Sequence, residues 1–293
     1  MENKRYIDLL VDFAFKKIFG TDSNKVLLID LLNAIFENRK VIIDLAYNKN
    51  EHHGKNKEEG SAVFNLLCTG EHGEKFLIEV QHSKPLNFKK RSIFYTSRLI
   101  SEQAPRGNMK EWQYNISEVY FVALLDQPEP TNTQEPIITK DRYLHEVCLC
   151  YRDTGEIFYE QLGYTYIDLL NFVKTLEQCH TKLDKWLYHL KHMQTMTQLP
   201  NGLRTTIFEQ LYSAAEYINL TKEEQRMYDQ DLKRKWDNAA VLAGAEERGR
   251  TEGVAQGKFE KSLELAKKMK LRGMSNAEIA DITGLSVEEI EML

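Results

Sequence analysis

Residues 62–81 decide the fold: Ala62-Val63-Phe64-Asn65-Leu66-Leu67-Cys68-Thr69-Gly70-Glu71-His72-Gly73-Glu74-Lys75-Phe76-Leu77-Ile78-Glu79-Val80-Gln81. The apolar runs 62–68 and 74–81 read as strands, and the Thr-Gly-Glu-His-Gly segment between them has the residues of a hairpin turn. Side chains alternate faces along a strand, so Val63, Asn65 and Leu67 share one face and Leu77, Glu79 and Gln81 share another. A turn centred near residues 71 and 72 sets Asn65 beside Glu79. The hairpin is therefore expected to carry a polar pair on an otherwise apolar ladder.

Working outward, residues 6–20 carry apolar side chains at Ile7, Leu10, Val11, Ala14, Phe15, Ile18 and Phe19, a helical period that stops at Gly20. That helix puts Asp12 and Lys16 one turn apart. A second helix is expected over 24–36 and a strand over 41–47, while the polar, glycine-punctuated stretch 48–60 reads as a mobile loop. After the hairpin, residues 86–104 are helical, with Arg91, Tyr95 and Arg98 at helical spacing. Residues 118–125 and 143–151 read as strands, the latter with Cys148 and Cys150 on one face, and the proline-rich stretch 127–136 as a surface loop. From residue 166 the pattern is helical almost to the end. The expected architecture is an α/β core with a central mixed sheet flanked by helices over 1–165, a helical region packing on it over 166–238, and a tail over 239–293.

Composition sets the bounds. The chain has 293 residues, 42 % hydrophobic and 10 % aromatic, enough for a sizeable core and for about two domains. Its longest apolar run, 119–125, is far short of the roughly 20 residues that span a bilayer, and no secretory signal opens it, so no membrane role and a cytoplasmic location are expected. Four cysteines without a Cys-x-x-Cys motif make neither a disulfide framework nor a zinc site, and are read as buried thiols. With 44 acidic and 39 basic residues the net charge is -5, which argues against a coat of positive charge for nucleic acid but not against a local basic channel.

The tail has its own signals. Gly249, Gly253 and Gly257 recur along one side of a helix, a spacing that suits close approach of two helices, or else a flexible linker. Residues 275–286 look like a helix-turn-helix, yet 275–293 hold five acids and no Lys or Arg, which favours protein contact over DNA reading. His189 and His192, three apart on a helix, read as a solvated face rather than a metal site.

Phosphodiester hydrolysis calls for a divalent metal that neutralises phosphate charge and activates water, and Mg²⁺ takes oxygen ligands. A helix carboxylate with polar residues from two neighbouring strands makes such a set, although an ordinary polar sheet face beside a helix salt bridge has the same residues. The segments Asp12-Phe13-Ala14-Phe15-Lys16-Lys17-Ile18-Phe19-Gly20, Val63-Phe64-Asn65-Leu66-Leu67-Cys68 and Gly73-Glu74-Lys75-Phe76-Leu77-Ile78-Glu79-Val80-Gln81 resemble the Rpn family, the recombination-promoting nucleases or transposases of the PD-(D/E)XK superfamily. The likeness continues through Arg91-Ser92-Ile93-Phe94-Tyr95, Asp184-Lys185-Trp186-Leu187-Tyr188 and Leu220-Thr221-Lys222-Glu223-Glu224.

The resemblance implies a restriction-endonuclease-like core in a bacterial protein that cuts DNA and is linked to recombination or mobile elements. It implies a Mg²⁺ ion, or another divalent cation, held by Asp12, the residue at position 65 and Glu79. Gln81 would orient water or phosphate. Lys16 is taken toward DNA, and the helical spacing of Arg91, Tyr95 and Arg98 beside this site reads either as a phosphate-holding set or as the wet polar face of a helix packed across the sheet. Where the family pattern has Asp, this chain has Asn65. An amide offers a metal one neutral oxygen and no charge, so activity is expected to fall sharply, whether Asn65 is natural or was introduced to silence the site. Two functions remain open: a weakened metal-dependent endonuclease, or a catalytically silent DNA- or protein-binding protein that self-associates through its glycine-spaced helix.

Overall fold

The hairpin forms where its sequence puts it, but its first strand is broken at Asn65. A computed structural model describes residues 5–37, 39–48, 51–52, 62–63, 65–81, 87–105, 112–126 and 142–293. In chain order the main elements are α1 (Asp12–Phe19), α2 (Lys25–Phe36), β1 (Leu45–Tyr47), β2 (Glu51–His52), β3 (Ala62–Val63), β4 (Leu66–Gly70), β5 (Lys75–Gln81), α3 (Phe88–Ser101), β6 (Val119–Leu125), β7 (Leu144–Cys150) and β8 (Ile157–Asp168). Then come α4 (Lys182–His192), α5 (Thr206–Ala214), α6 (Lys222–Leu271), α7 (Asn276–Thr283) and α8 (Val287–Glu291). Six strands make one mixed sheet in the order β1-β4-β5-β6-β8-β7, with β5, β6 and β8 parallel. β2 and β3 pair separately, inside a stretch expected to hold only loop and unbroken strand. The proline-rich stretch lies outside the described residues.

The ladder between β4 and β5 runs from Leu66 opposite Ile78 to Thr69 opposite Lys75, the expected register. Gly73, at φ 88°, supplies the left-handed residue that the tight turn requires. Alternation along the strands feeds two cores. Phe76, Ile78 and Val80 of β5, with Val122 and Leu124 of β6, pack under α1, α2, α4 and α5. Leu77, with Phe121, Ala123 and Leu125, faces α3 through Phe88 and Leu99. Each large side chain so buried contributes about 1.5–3 kcal/mol, which locks the register, because a slip of one residue would exchange the two faces.

Four expectations change. Helix α1 begins at Asp12, not near residue 6, because the preceding segment pairs with a distant one: Ile7 N–H donates to the Ala215 carbonyl (3.0 Å) and Tyr6 bridges Glu216. The Asp8 carboxylate then accepts Leu10 N–H (3.0 Å) in a turn that excludes helix. β8 occupies residues expected to be loop or helix. Its Glu160, Gln161 and Gly163 hide the strand pattern, and two of its tyrosine hydroxyls meet α3, Tyr164 at Thr96 (2.8 Å) and Tyr166 at Ser92 (2.7 Å). Finally, His189 is fully buried rather than solvated, while Cys148 and Cys150 are exposed rather than buried.

The chain divides into two compact units, Met1–Trp236 and Asp237–Leu293. The second has a small core of Ala266, Ile279, Leu285 and Ile290. Its helices α7 and α8 each start with a capping box, Ser275 with Glu278 and Ser286 with Glu289, and Gly284 between them is left-handed at φ 71°. The two short helices are thus joined by a three-residue turn, Gly284 to Ser286. Among the described residues no helix is long and apolar enough to cross a membrane.

Candidate active site

Two linked polar groups meet at the end of the hairpin. The first lies on α1. Lys16 Nζ donates to Asp12 Oδ2 (2.8 Å) one helical turn away, and the Asn65 amide nitrogen donates to Asp12 Oδ1. Asn65 sits in the bend between β3 and β4, and its oxygen accepts the Val80 backbone N–H at 3.0 Å. These partners fix the amide's orientation: turned over, its oxygen would face a carboxylate and its nitrogen another N–H.

The second group lies on β5 and α3. Glu79 is fully buried, and Arg91 Nη2 sits 3.3 and 3.2 Å from its two oxygens. Gln81 Nε2 donates to Glu79 Oε2 at 3.2 Å. Arg91 in turn donates from Nε to the Tyr95 hydroxyl (3.0 Å) and stacks on that ring at 5.1 Å. Burial pushes the Glu79 carboxyl above its ordinary value, and the Arg91 charge and the hydrogen bonds from Gln81 and Arg91 only partly offset it. Of the residues expected near DNA, Lys16 and Arg91 stand on the site, Tyr95 supports Arg91, and Arg98 pairs with Glu102 (3.2 Å) further along α3.

Val80 joins the two groups. It lies between Glu79 and Gln81, so the amide that holds its N–H also ties the Glu-x-Gln strand to Asp12.

Further residues, invisible to local reading, brace this corner. Asp231 of α6 accepts the Phe13 N–H at 3.2 Å and so caps α1, whose own Val11 provides no side-chain cap. Lys235, one turn later, bridges Asp8 (2.9 Å) and Asp126 (2.6 Å), and Asp126 N–H donates to the Gln81 carbonyl at 3.1 Å. In sequence these residues lie in a charged run, Asp231-Leu232-Lys233-Arg234-Lys235, to which the sequence by itself assigns no role. Only the spacing of Asp231 and Lys235 hinted at a shared side.

A mixed six-stranded sheet with flanking helices and a C-terminal helical region is consistent with the restriction-endonuclease-like fold of the PD-(D/E)XK proteins. The sequence model of the PD-(D/E)XK nuclease family transposases matches residues 9–245, and the chain belongs to that family. No curated protein and no solved structure matches it.

Nucleases of this class generally use divalent cations. The side chains present do not fit one. Both oxygens of Asp12 and both of Glu79 already accept from protein donors, and the Asn65 oxygen is turned to Val80. Among the described residues no group of three His, Cys, Asp or Glu side chains could hold a metal ion. Lys16, Asn65, Gln81 and Arg91 together neutralise or satisfy the two carboxylates without one.

Proposed function

We propose that this chain is a DNA endonuclease scaffold, linked to recombination or mobile elements, whose phosphodiester-cleaving centre is held closed by Asn65. Asp12, position 65, Glu79 and Gln81 form the catalytic corner, with Asp12, position 65 and Glu79 on the cation side. With Asp at position 65, Mg²⁺ or another divalent cation is the proposed cofactor, and DNA is the substrate. The observation that carries this reading is the Asn65 amide bonded to Asp12 on one side and to Val80 N–H on the other. With Asp at position 65, the oxygen facing Val80 would remain, but the donor facing Asp12 would become a second negative charge. Two adjacent carboxylates then need a cation from outside the protein.

The test is plasmid cleavage with and without Mg²⁺. The chain as it stands is expected to cut little, and Asn65→Asp to raise metal-dependent cutting on the order of 10–100-fold, the scale on which altered metal-site partners act. Adding Glu79→Ala to that variant should abolish the gain. If Asn65→Asp is as inert as the parent and binds no more metal, the endonuclease reading is wrong.

The prior neutralisation of both carboxylates favours a second reading, a catalytically silent binding protein. Its DNA binding in a gel shift would be indifferent to chelator and to Glu79→Gln. In either case the glycine-spaced part of α6 is the proposed self-association surface, and the protein acts in the cytoplasm.

A further inference from the structure

The two exposed cysteines stand apart from the catalytic corner. Cys148 and Cys150 lie on β7, the edge strand of the sheet, with their sulfurs 3.5 Å apart. In a regular strand, residues two apart lean along the same face without meeting. Here the ladder is irregular at this point: Cys148 pairs with Gly163, Leu149 with Tyr159 and Cys150 with Ile157, so β8 carries the extra residues. The break in the ladder is what brings the two side chains to within contact. On the same face, two residues before Cys148, Glu146 is ion-paired with Arg39.

We infer that Cys148 and Cys150 form a dithiol–disulfide pair, a redox modification site whose reaction partner is a small disulfide of the glutathione type. A disulfide bond is about 2.05 Å long, so side-chain rotation must bring the sulfurs together by about 1.5 Å. One thiolate attacks a sulfur of the small disulfide, forms a mixed disulfide and expels one small thiol. The neighbouring thiolate attacks the protein sulfur of that mixed disulfide and expels the second. The protein dithiol gives up two electrons, the small disulfide becomes two thiols, and the two protein thiol protons end on them. The hydrogen bond between the two thiols, helped by some burial, raises Cys148 above its ordinary value. Cys68 and Cys179 are buried and do not take part.

The test equilibrates the full reduced chain in mixtures of reduced and oxidised glutathione, quenches with acid, alkylates free thiols and weighs the peptide that holds both cysteines. The expected product has lost two hydrogens, carries neither alkyl group nor glutathione, and returns to two alkylated thiols after reduction. In Cys148→Ser, Cys150 is expected to stop at the glutathione mixed disulfide. A parent chain that accumulates the mixed disulfide without closing the ring overturns the proposal, and so does one in which both thiols stay free in oxidised glutathione. Neither result depends on whether the chain cuts DNA.

Discussion

Asn65 shows how one atom changes what a site needs. Its amide nitrogen gives Asp12 a neutral donor, and Lys16 supplies the positive charge. Asn65→Asp removes that donor and adds like charge, so the variant is expected to lose about 1–3 kcal/mol of stability in chelator. Mg²⁺ should restore the loss and raise the melting temperature of the variant while leaving the parent unchanged, because a ligand stabilises only the state that binds it. A melting temperature indifferent to Mg²⁺ in both proteins would count against a cation at this corner. His189 offers a second residue-scale test. It is buried against Phe208 and Tyr212, and burial drives its pKa down to about 3 from 6.5. The unfolded chain therefore binds a proton that the folded chain refuses between those values. Stability is full above 6.5 and falls with acid, by about 1.4 kcal/mol per pH unit from this group. Urea titrations from pH 6.5 to 5 should show that slope reduced in His189→Phe.

Among the elements, the first turns of α6 matter most to the site. Helix α1 has no cap of its own and receives one from Asp231, and Lys17 at its other end pairs with Glu224. Lys235 stitches the segment before α1 to the end of β6. Burial pulls the Lys235 ammonium down, but Asp8 and Asp126 more than offset this and hold it above its ordinary value. Its contribution is therefore complete below about pH 10.5 and is lost as pH rises through the raised folded value. Lys235→Met leaves two carboxylates without their shared cation and is expected to cost about 3–5 kcal/mol in urea unfolding at neutral pH. Lys235→Arg, which keeps the charge, should recover most of it. A loss under 1 kcal/mol in the Met variant would mean that water already satisfies Asp8 and Asp126.

At the scale of the whole molecule, the chain divides after Trp236 into the mixed-sheet unit and a small helical unit with its own core. Among the described residues, a Cβ added at Gly249, Gly253 or Gly257 would have no neighbour within 4 Å beyond its own helix backbone. Glycine inside a helix costs about 1 kcal/mol relative to alanine, so three of them on one side weaken α6 for no benefit within the monomer. The proposed benefit is a second copy. Sedimentation of the full chain is expected to show a self-associated species that Gly253→Leu converts to monomer. In the monomeric state Gly253→Ala should stabilise the second unit by up to about 1 kcal/mol. If the parent sediments as a monomer at every concentration, the glycine side is not an interface between copies.

The hairpin and its register were legible in the sequence because they depend on neighbours: a glycine-bounded turn, period-two alternation and apolar runs of strand length. The capping boxes at Ser275 and Ser286 were local in the same way, and so was the one-turn spacing of Asp12 and Lys16. The candidate residues could also be named from sequence, but their relations could not. Whether the Asn65 side chain turns to Asp12 depends on a bend that α1 and Val80 complete from elsewhere. Whether 157–168 is a strand depended on β6 and β7, which pair with it on either side and come from other parts of the chain. The solvated reading of His189 reversed for a similar reason, since burial is decided by the segments that arrive on top of a residue. The sequence by itself determined which residues are available to the corner at Glu79. Only the tertiary structure decided that they satisfy one another, because hydrogen bonds and ion pairs between distant segments are set by packing and not by local pattern.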